Sequence, residues 1–256
     1  MQVDLNADMG ESFGDWTMGD DAALLEVVTS ANIACGAHAG DWDVMARTMA
    51  LAAKRGVGIG AHPGFPDLQG FGRRRMAMPP GSISNLVIWQ FGAARAMAAS
   101  LGTRVRHFKL HGALANMASE DAKVAGAAYE AAFRVDSDVI LLVLAGTAQQ
   151  EVAEALGARW TGEVFADRGY NDDATLVARG TPGAMIHDPE EAAARMVDFV
   201  RGGAIIANSG RTIPAACDSI CLHGDGPEAV AIARAVRRAL TEAGVTLAPM
   251  AGRTGR

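Results

Sequence analysis

The chain has 256 residues, enough for one large domain with a substantial buried core. Half of the residues are hydrophobic and few are aromatic, a mix that suits helices packed closely on a sheet. A formal net charge of -6 argues against nucleic-acid binding, which needs a basic face. The short run Arg73-Arg74-Arg75 reads either as a solvated loop or as an anion-recognition element.

Cys35, Cys217 and Cys221 are an odd set without paired-zinc spacing, so no disulfide framework is expected, and Cys35 reads as a packing residue. The N-terminus lacks a basic region followed by an apolar stretch. No apolar run approaches membrane-spanning length, so a cytoplasmic enzyme without a membrane segment is expected.

In chain order, strand-forming runs fall at residues 3–7, 32–35, 57–61, 105–110, 139–144, 160–165 and 219–222. Most read as nearly continuous apolar runs, as expected for strands covered on both faces. Longer helical segments separate them, which predicts a parallel α/β sheet. Asp41 caps a predicted helix that ends at Arg55, and Ser82 caps one that ends near Gly102. Thr147 with Gln150 makes a capping-box pattern, Asp188-Pro189 opens another helix, and Pro227 opens the last one, which Gly244 closes. Residues 63–81 form a long Gly/Pro-rich segment of the kind that is usually functional or disordered. Residues 202–218 are irregular, with an extra strand possible at 204–207. No linker divides the chain, so residues 1–256 read as one domain.

Polar clusters follow the strands, where α/β folds place their ligands. They are Asn6, Asp8 and Glu11 after the first, His38 and Asp41 after the second, and His62 after the third. Lys109, His111 and Asn116 go with the fourth, Asp167, Arg168 and Tyr170 with the sixth, and His223 and Asp225 with the seventh. Each alone has an ordinary reading as a structural His, a helix cap or a solvated carboxylate. Together, four His residues beside Gly or Ala at separate strand ends point to acid–base catalysis or a hard-metal site, and their recurrence favours a barrel over an open sheet. His107, inside a strand, and His187, before a capped helix, read as structural. A Walker loop, a nucleophile elbow and a dinucleotide fingerprint are all absent, and the lysines are only Lys54, Lys109 and Lys123.

Seven runs carry a family resemblance: Asp4-Leu-Asn-Ala-Asp8-Met-Gly-Glu11, Ala31-Asn-Ile-Ala-Cys-Gly36-Ala-His38-Ala-Gly-Asp41, Gly60-Ala-His62-Pro63, Asp67-Leu-Gln-Gly-Phe-Gly-Arg73-Arg74, Lys109-Leu-His111-Gly-Ala-Leu, Glu163-Val-Phe-Ala-Asp167-Arg168 and Cys221-Leu-His223-Gly-Asp225. They resemble the LamB/YcsF family from the first strand to the last helix. Departures are Leu110 for the family's Pro, Ala115 for its Tyr, and Gly169-Tyr170 and Asp173-Ala174 for Ala-Tyr and Asp-Gly.

The resemblance implies a distorted (β/α) barrel of the glycoside hydrolase/deacetylase type, with about seven parallel strands. It implies the A subunit of an ATP-dependent 5-oxoprolinase, opening 5-oxo-L-proline to L-glutamate with subunits B and C and with ATP as co-substrate. Asp8, His38, His62, Lys109, His111, His223 and Asp225 are the expected catalytic residues. Asn6, Glu11, Arg73, Arg74, Asp167 and Arg168 are the expected lactam- or phosphate-binding residues. The competing reading is a stand-alone metal-dependent deacetylase or amidase, with a divalent cation on Asp8, His38 and His62. A third is a non-catalytic subunit that binds a small carboxylate or a partner protein.

Overall fold

A computed structural model describes residues 1–223 and 228–254. Its first half comprises β1 (Gln2–Met9), α1 (Asp21–Leu24), β2 (Ser30–Ala34), α2 (Trp42–Lys54), β3 (Gly58–His62), α3 (Pro80–Ser100) and β4 (His107–Lys109). Next come α4 (Gly112–Glu120), α5 (Ala122–Val135), β5 (Ile140–Leu144), α6 (Ala148–Ala155) and β6 (Arg159–Phe165). The chain continues through α7 (Pro189–Gly202), β7 (Ala204–Ile206), β8 (Thr212–Pro214), β9 (Ser219–Leu222), α8 (Ala229–Glu242) and β10 (Thr246–Leu247).

Seven parallel strands, in the order β1-β2-β3-β4-β5-β6-β9, close on themselves. Closure runs through Ser219, whose Cα registers with Glu163 on β6 and with Asp4 on β1. The expected barrel of about seven strands is therefore present. β10 extends β1 outside the ring, and the predicted extra strand, β7, forms an antiparallel hairpin with β8.

The strands differ from the continuous apolar runs expected from sequence. On β1, Val3, Leu5, Ala7 and Met9 join the apolar core, whereas Asp4, Asn6 and Asp8 are hydrogen-bonded to residues of other barrel strands. The same period of two places Ser30 and Asn32 of β2, His107 and Lys109 of β4, and Ser219 of β9 in that network. The barrel interior is thus a hydrogen-bonded polar ladder. The apolar faces pack outward on the helices, each large side chain contributing about 1.5–3 kcal/mol. Gly60 makes room for this filling: a Cβ there would lie 2.0 Å from His107 Nε2.

Asp41, Thr147 and Asp188 cap α2, α6 and α7 as expected, each accepting a backbone N–H. The expected cap at Ser82 is corrected: α3 begins at Pro80, whose fixed φ suits a first turn, and Pro79 precedes it. Helices α4 and α5 have no counterpart among the helices expected from sequence. The Ala-rich α5 lies against α3, where Ser84 Oγ donates to the Ala127 carbonyl at 2.9 Å. Pro227 and Asp225 lie outside the described residues.

Candidate active site

A cavity of about 330 Å³ opens at the C-terminal ends of the strands. Asp8, His62, Lys109, His111, Glu163 and His223 are among its lining residues, so five strands contribute to it. That volume is at the lower end of the range for small-molecule sites.

Lys109 is the hub of the floor. Its Nζ lies 2.8 Å from Asp8 Oδ1, 2.9 Å from Glu163 Oε1 and 3.0 Å from Cys221 Sγ. Asn32 Nδ2 donates to the same Asp8 oxygen at 2.8 Å. Burial disfavours charge on both Lys109 and Asp8. The carboxylates, with Cys221, nevertheless hold the Lys109 pKa well above its ordinary value, and His62 and Lys109 hold that of Asp8 well below its own. The ammonium thus sits between two buried carboxyl groups, which would lose their partner if it were removed.

Beside it stand three imidazoles. His62 Nε2 is 3.3 Å from Asp8 Oδ2 and 3.0 Å from His111 Nδ1. The ring of His111 stacks on that of His38, with centroids 3.6 Å apart and planes within 4°. His38 Nε2 is 3.5 Å from Glu11 Oε1. Burial, reinforced by the neighbouring imidazoles, holds the pKa values of His38 and His111 well below the usual histidine value, so both are neutral near pH 7. Glu11, His38, His62 and His111 each offer a ligand atom, all within 4.8 Å of one another. Imidazole nitrogen and carboxylate oxygen are suitable donors for a divalent cation.

On another part of the wall His223 Nδ1 lies 2.8 Å from both oxygens of Asp167, and its ring stacks on Phe165. Burial raises the Asp167 pKa, but the charge and hydrogen bond of His223 more than offset this and keep the carboxylate ionised. Arg168 is buried, donates to the carbonyls of Ala184 and Val177 at 3.1 and 2.6 Å, and is among the residues that line the cavity.

Most of the expected residues converge here: Asp8, Glu11, His38, His62, Arg73, Lys109, His111, Asp167, Arg168 and His223 all line the cavity or contact residues that do. Arg74 is not brought to the cavity; its exposed side chain pairs with Asp67 on the outer side of the loop. Asn6 is fully buried in the ladder below, bonded to Ser219 and Asn32. Asp225 is outside the described residues. Glu163 and Asn32 are site residues that the sequence patterns do not single out. Both sit within apolar-looking runs, and the signal that finds them is a polar side chain at an interior position of a period-two strand.

The match to the LamB/YcsF family covers residues 3–255. The chain belongs to the LamB/YcsF family. A relative from Ruegeria pomeroyi, named as the A subunit of 5-oxoprolinase, is 63% identical over 96% of this chain and 97% of its own. One from Rhodopseudomonas palustris (strain BisB18), which carries the same name, is 52% identical over 98% of both chains. The crystal structure of a lactam utilization protein from Thermus thermophilus superposes with a TM-score of 0.91 at 42% identity, covering 98% of this chain and 100% of the other. Among the described residues no helix is long and apolar enough to cross a membrane.

Proposed function

We propose that this chain is the A subunit of a cytoplasmic, ATP-dependent 5-oxoprolinase and that the cavity is where 5-oxo-L-proline is opened to L-glutamate. The observation that carries the chemistry is a small cavity lined by the Asp8–Lys109–Glu163 floor, by His62 and His111, and by His223, which bonds Asp167. The names of the close relatives supply the substrate.

A lactam is a resonance-stabilised amide, so its carbonyl carbon needs activation. In the proposed reaction the γ-phosphoryl group of ATP passes to the lactam oxygen and water adds to the activated carbon. ADP leaves as the phosphoryl group is transferred; the C–N bond then breaks, the ring nitrogen gains a proton, and a second water hydrolyses the resulting γ-glutamyl phosphate to glutamate and phosphate. The chain carries no Walker loop, and this supports a scheme in which partner subunits B and C take part in handling the nucleotide.

The neutral His38 and His111 can accept the proton of the attacking water, with Asp8 as a fixed anion that favours the resulting imidazolium. His223, oriented by Asp167, delivers a proton to the leaving ring nitrogen. Lys109 stays protonated, holds Asp8 ionised and keeps Asp8 and Glu163 in place. Arg73 and Arg168 meet the substrate carboxylate or the phosphoryl oxygens, for which a guanidinium fork is suited. In the metal-dependent reading, a divalent cation held at the Glu11–His38–His62–His111 group would supply Lewis-acid polarisation, with its imidazoles as ligands in place of bases.

Glutamate formation from 5-oxoproline and ATP tests this reading, assayed with the chain alone and with the partner subunits. Turnover that needs all the components supports it. No turnover in either case, with metal-dependent release of acyl groups by the chain alone, would favour the deacetylase or amidase reading instead.

A further inference from the structure

Large apolar side chains stand in water on the loop between β1 and α1 and at the first residue of α2. Trp16 is 76% exposed and Trp42 74%, and Phe13 and Met18 are each more than a third exposed. Phe13 and Trp16 exchange two backbone hydrogen bonds of 2.9 Å across the turn made by Gly14 and Asp15, and their rings stack with centroids 6.1 Å apart. Gly14, at φ +54°, supplies the left-handed conformation that so tight a turn requires.

The turn is fastened from both sides. Gly14 N donates to Asp41 Oδ2 at 2.7 Å, which joins the turn to the N-terminus of α2, next to Trp42. Met18 N donates to Ser12 Oγ at 3.0 Å and closes the base of the loop. Apolar surface held in place by such bonds gains from being covered, with little further ordering cost. A tryptophan buries about 200 Å² in a contact, so two that are three-quarters exposed offer roughly 300 Å², over a third of the ~800 Å² that one partner brings to a standard interface.

The charges beside these residues select what covers them. Asp15, Asp20 and Asp43 are exposed and Asp41 partly so, residues 12–20 include no basic side chain, and Arg47 is the first basic residue of α2. A second copy of this chain would set these carboxylates against one another, and the phosphates of a nucleic acid would be repelled. A protein surface with an apolar groove ringed by Lys or Arg is complementary. Position adds a second argument. Glu11, two residues before Phe13, lines the cavity and stands 3.5 Å from His38 Nε2, so an occupant of this surface sits at the cavity's rim.

We propose that Phe13, Trp16, Met18 and Trp42 form the docking surface for a partner subunit of the assembly, one that presents an apolar groove with a basic rim. Trp16 and Trp42 are the anchors, and Asp15 and Asp43 orient the partner. The inference rests on the reading of this chain as an A subunit, which has no Walker loop and needs a nucleotide-handling partner beside the cavity. The loop that starts at Glu11 then links the docked partner to the cavity wall.

The full chain and its W16A, W42A, D15K/D43K and W89A variants are titrated calorimetrically with purified subunits B and C, singly and together, at low and high salt. W16A and W42A should each weaken binding about 30-fold or more. D15K/D43K, which keeps both tryptophans, should weaken binding and remove most of its salt dependence. W89A, whose side chain is 59% exposed on α3, should bind as the wild-type chain does. In the glutamate assay, W16A should need about 30-fold more partner for half-saturation yet reach the wild-type kcat. Thermal unfolding of each variant separates lost binding from lost fold. Unchanged binding by W16A and W42A, no binding of the wild-type chain to either subunit, or a dimer of this chain that W16A dissociates in sedimentation would overturn the inference. Glutamate formation alongside any of those results leaves the proposed function standing. If the variants behave as expected and no glutamate forms, the proposed function fails and the docking surface stands.

Discussion

Lys109 Nζ stands 2.8 Å from Asp8 Oδ1, joining β4 to β1 through the barrel interior, and both groups are buried. The pair closes the polar ladder below and forms the floor of the cavity above. Its removal should therefore affect stability and chemistry together.

Replacing Lys109 with Met leaves Asp8 and Glu163 buried without their cation. The expected cost is about 3–5 kcal/mol, and the double variant K109M/D8N should lose less than K109M alone. Denaturant unfolding of the two variants measures the coupling. Equal losses would mean that the ion pair contributes nothing.

His223 and Asp167 lie apart from this floor, and His223 is only partly buried. H223Q should lower kcat by about 10²–10⁴-fold with little change in melting temperature. D167N should also lower kcat and alter the pH profile, because it removes the anion that orients the imidazole. Steady-state kinetics across pH with partner subunits present make the comparison. A rise in KM alone would instead indicate a binding role.

Asp41 accepts hydrogen bonds from Gly14 N at 2.7 Å and Val44 N at 2.8 Å, and these hold its pKa below the usual value. A depressed carboxylate pKa gives stability that is present above the unfolded value, near 3.9, and lost as the pH falls through the folded one. D41A should thus cost about 1 kcal/mol at pH 7, and the difference from wild type should shrink below about pH 4. Urea unfolding at the two pH values gives the comparison.

A Cβ on Gly60 would collide with the ring of His107, which bonds Asn32 at 2.8 Å, and Asn32 in turn holds Asp8. G60A should destabilise the fold by about 1–3 kcal/mol through overpacking. Thermal unfolding checks this, and an unchanged midpoint would show that the interior can adjust.

Much of the site is legible in the sequence because a histidine or carboxylate just beyond a strand, beside Gly or Ala, marks the open end of an α/β sheet. His38, His62, His111 and Asp8 are found in that way. Glu163, Asn32 and the ladder role of Asn6 are not, because strands expected to be apolar on both faces leave no place for interior polar groups. Asp4, Asn6 and Asp8 alternate with Leu5 and Ala7, and that alternation records a barrel filled with polar side chains. The hydrogen bonds of His62 and His111 to carbonyls 47 and 40 residues away in the chain lie beyond any sequence reading. Arg74 shows the converse: an arginine next to a lining residue can be turned outward to a local partner, Asp67.

The most direct test of the central claim is ATP-dependent glutamate formation from 5-oxoproline, measured with partner subunits B and C and either the wild-type chain or H223Q. Turnover is expected with the wild-type chain, and a loss of about 10²–10⁴-fold with H223Q. Turnover by the partners without this chain, or full turnover with H223Q, would contradict it.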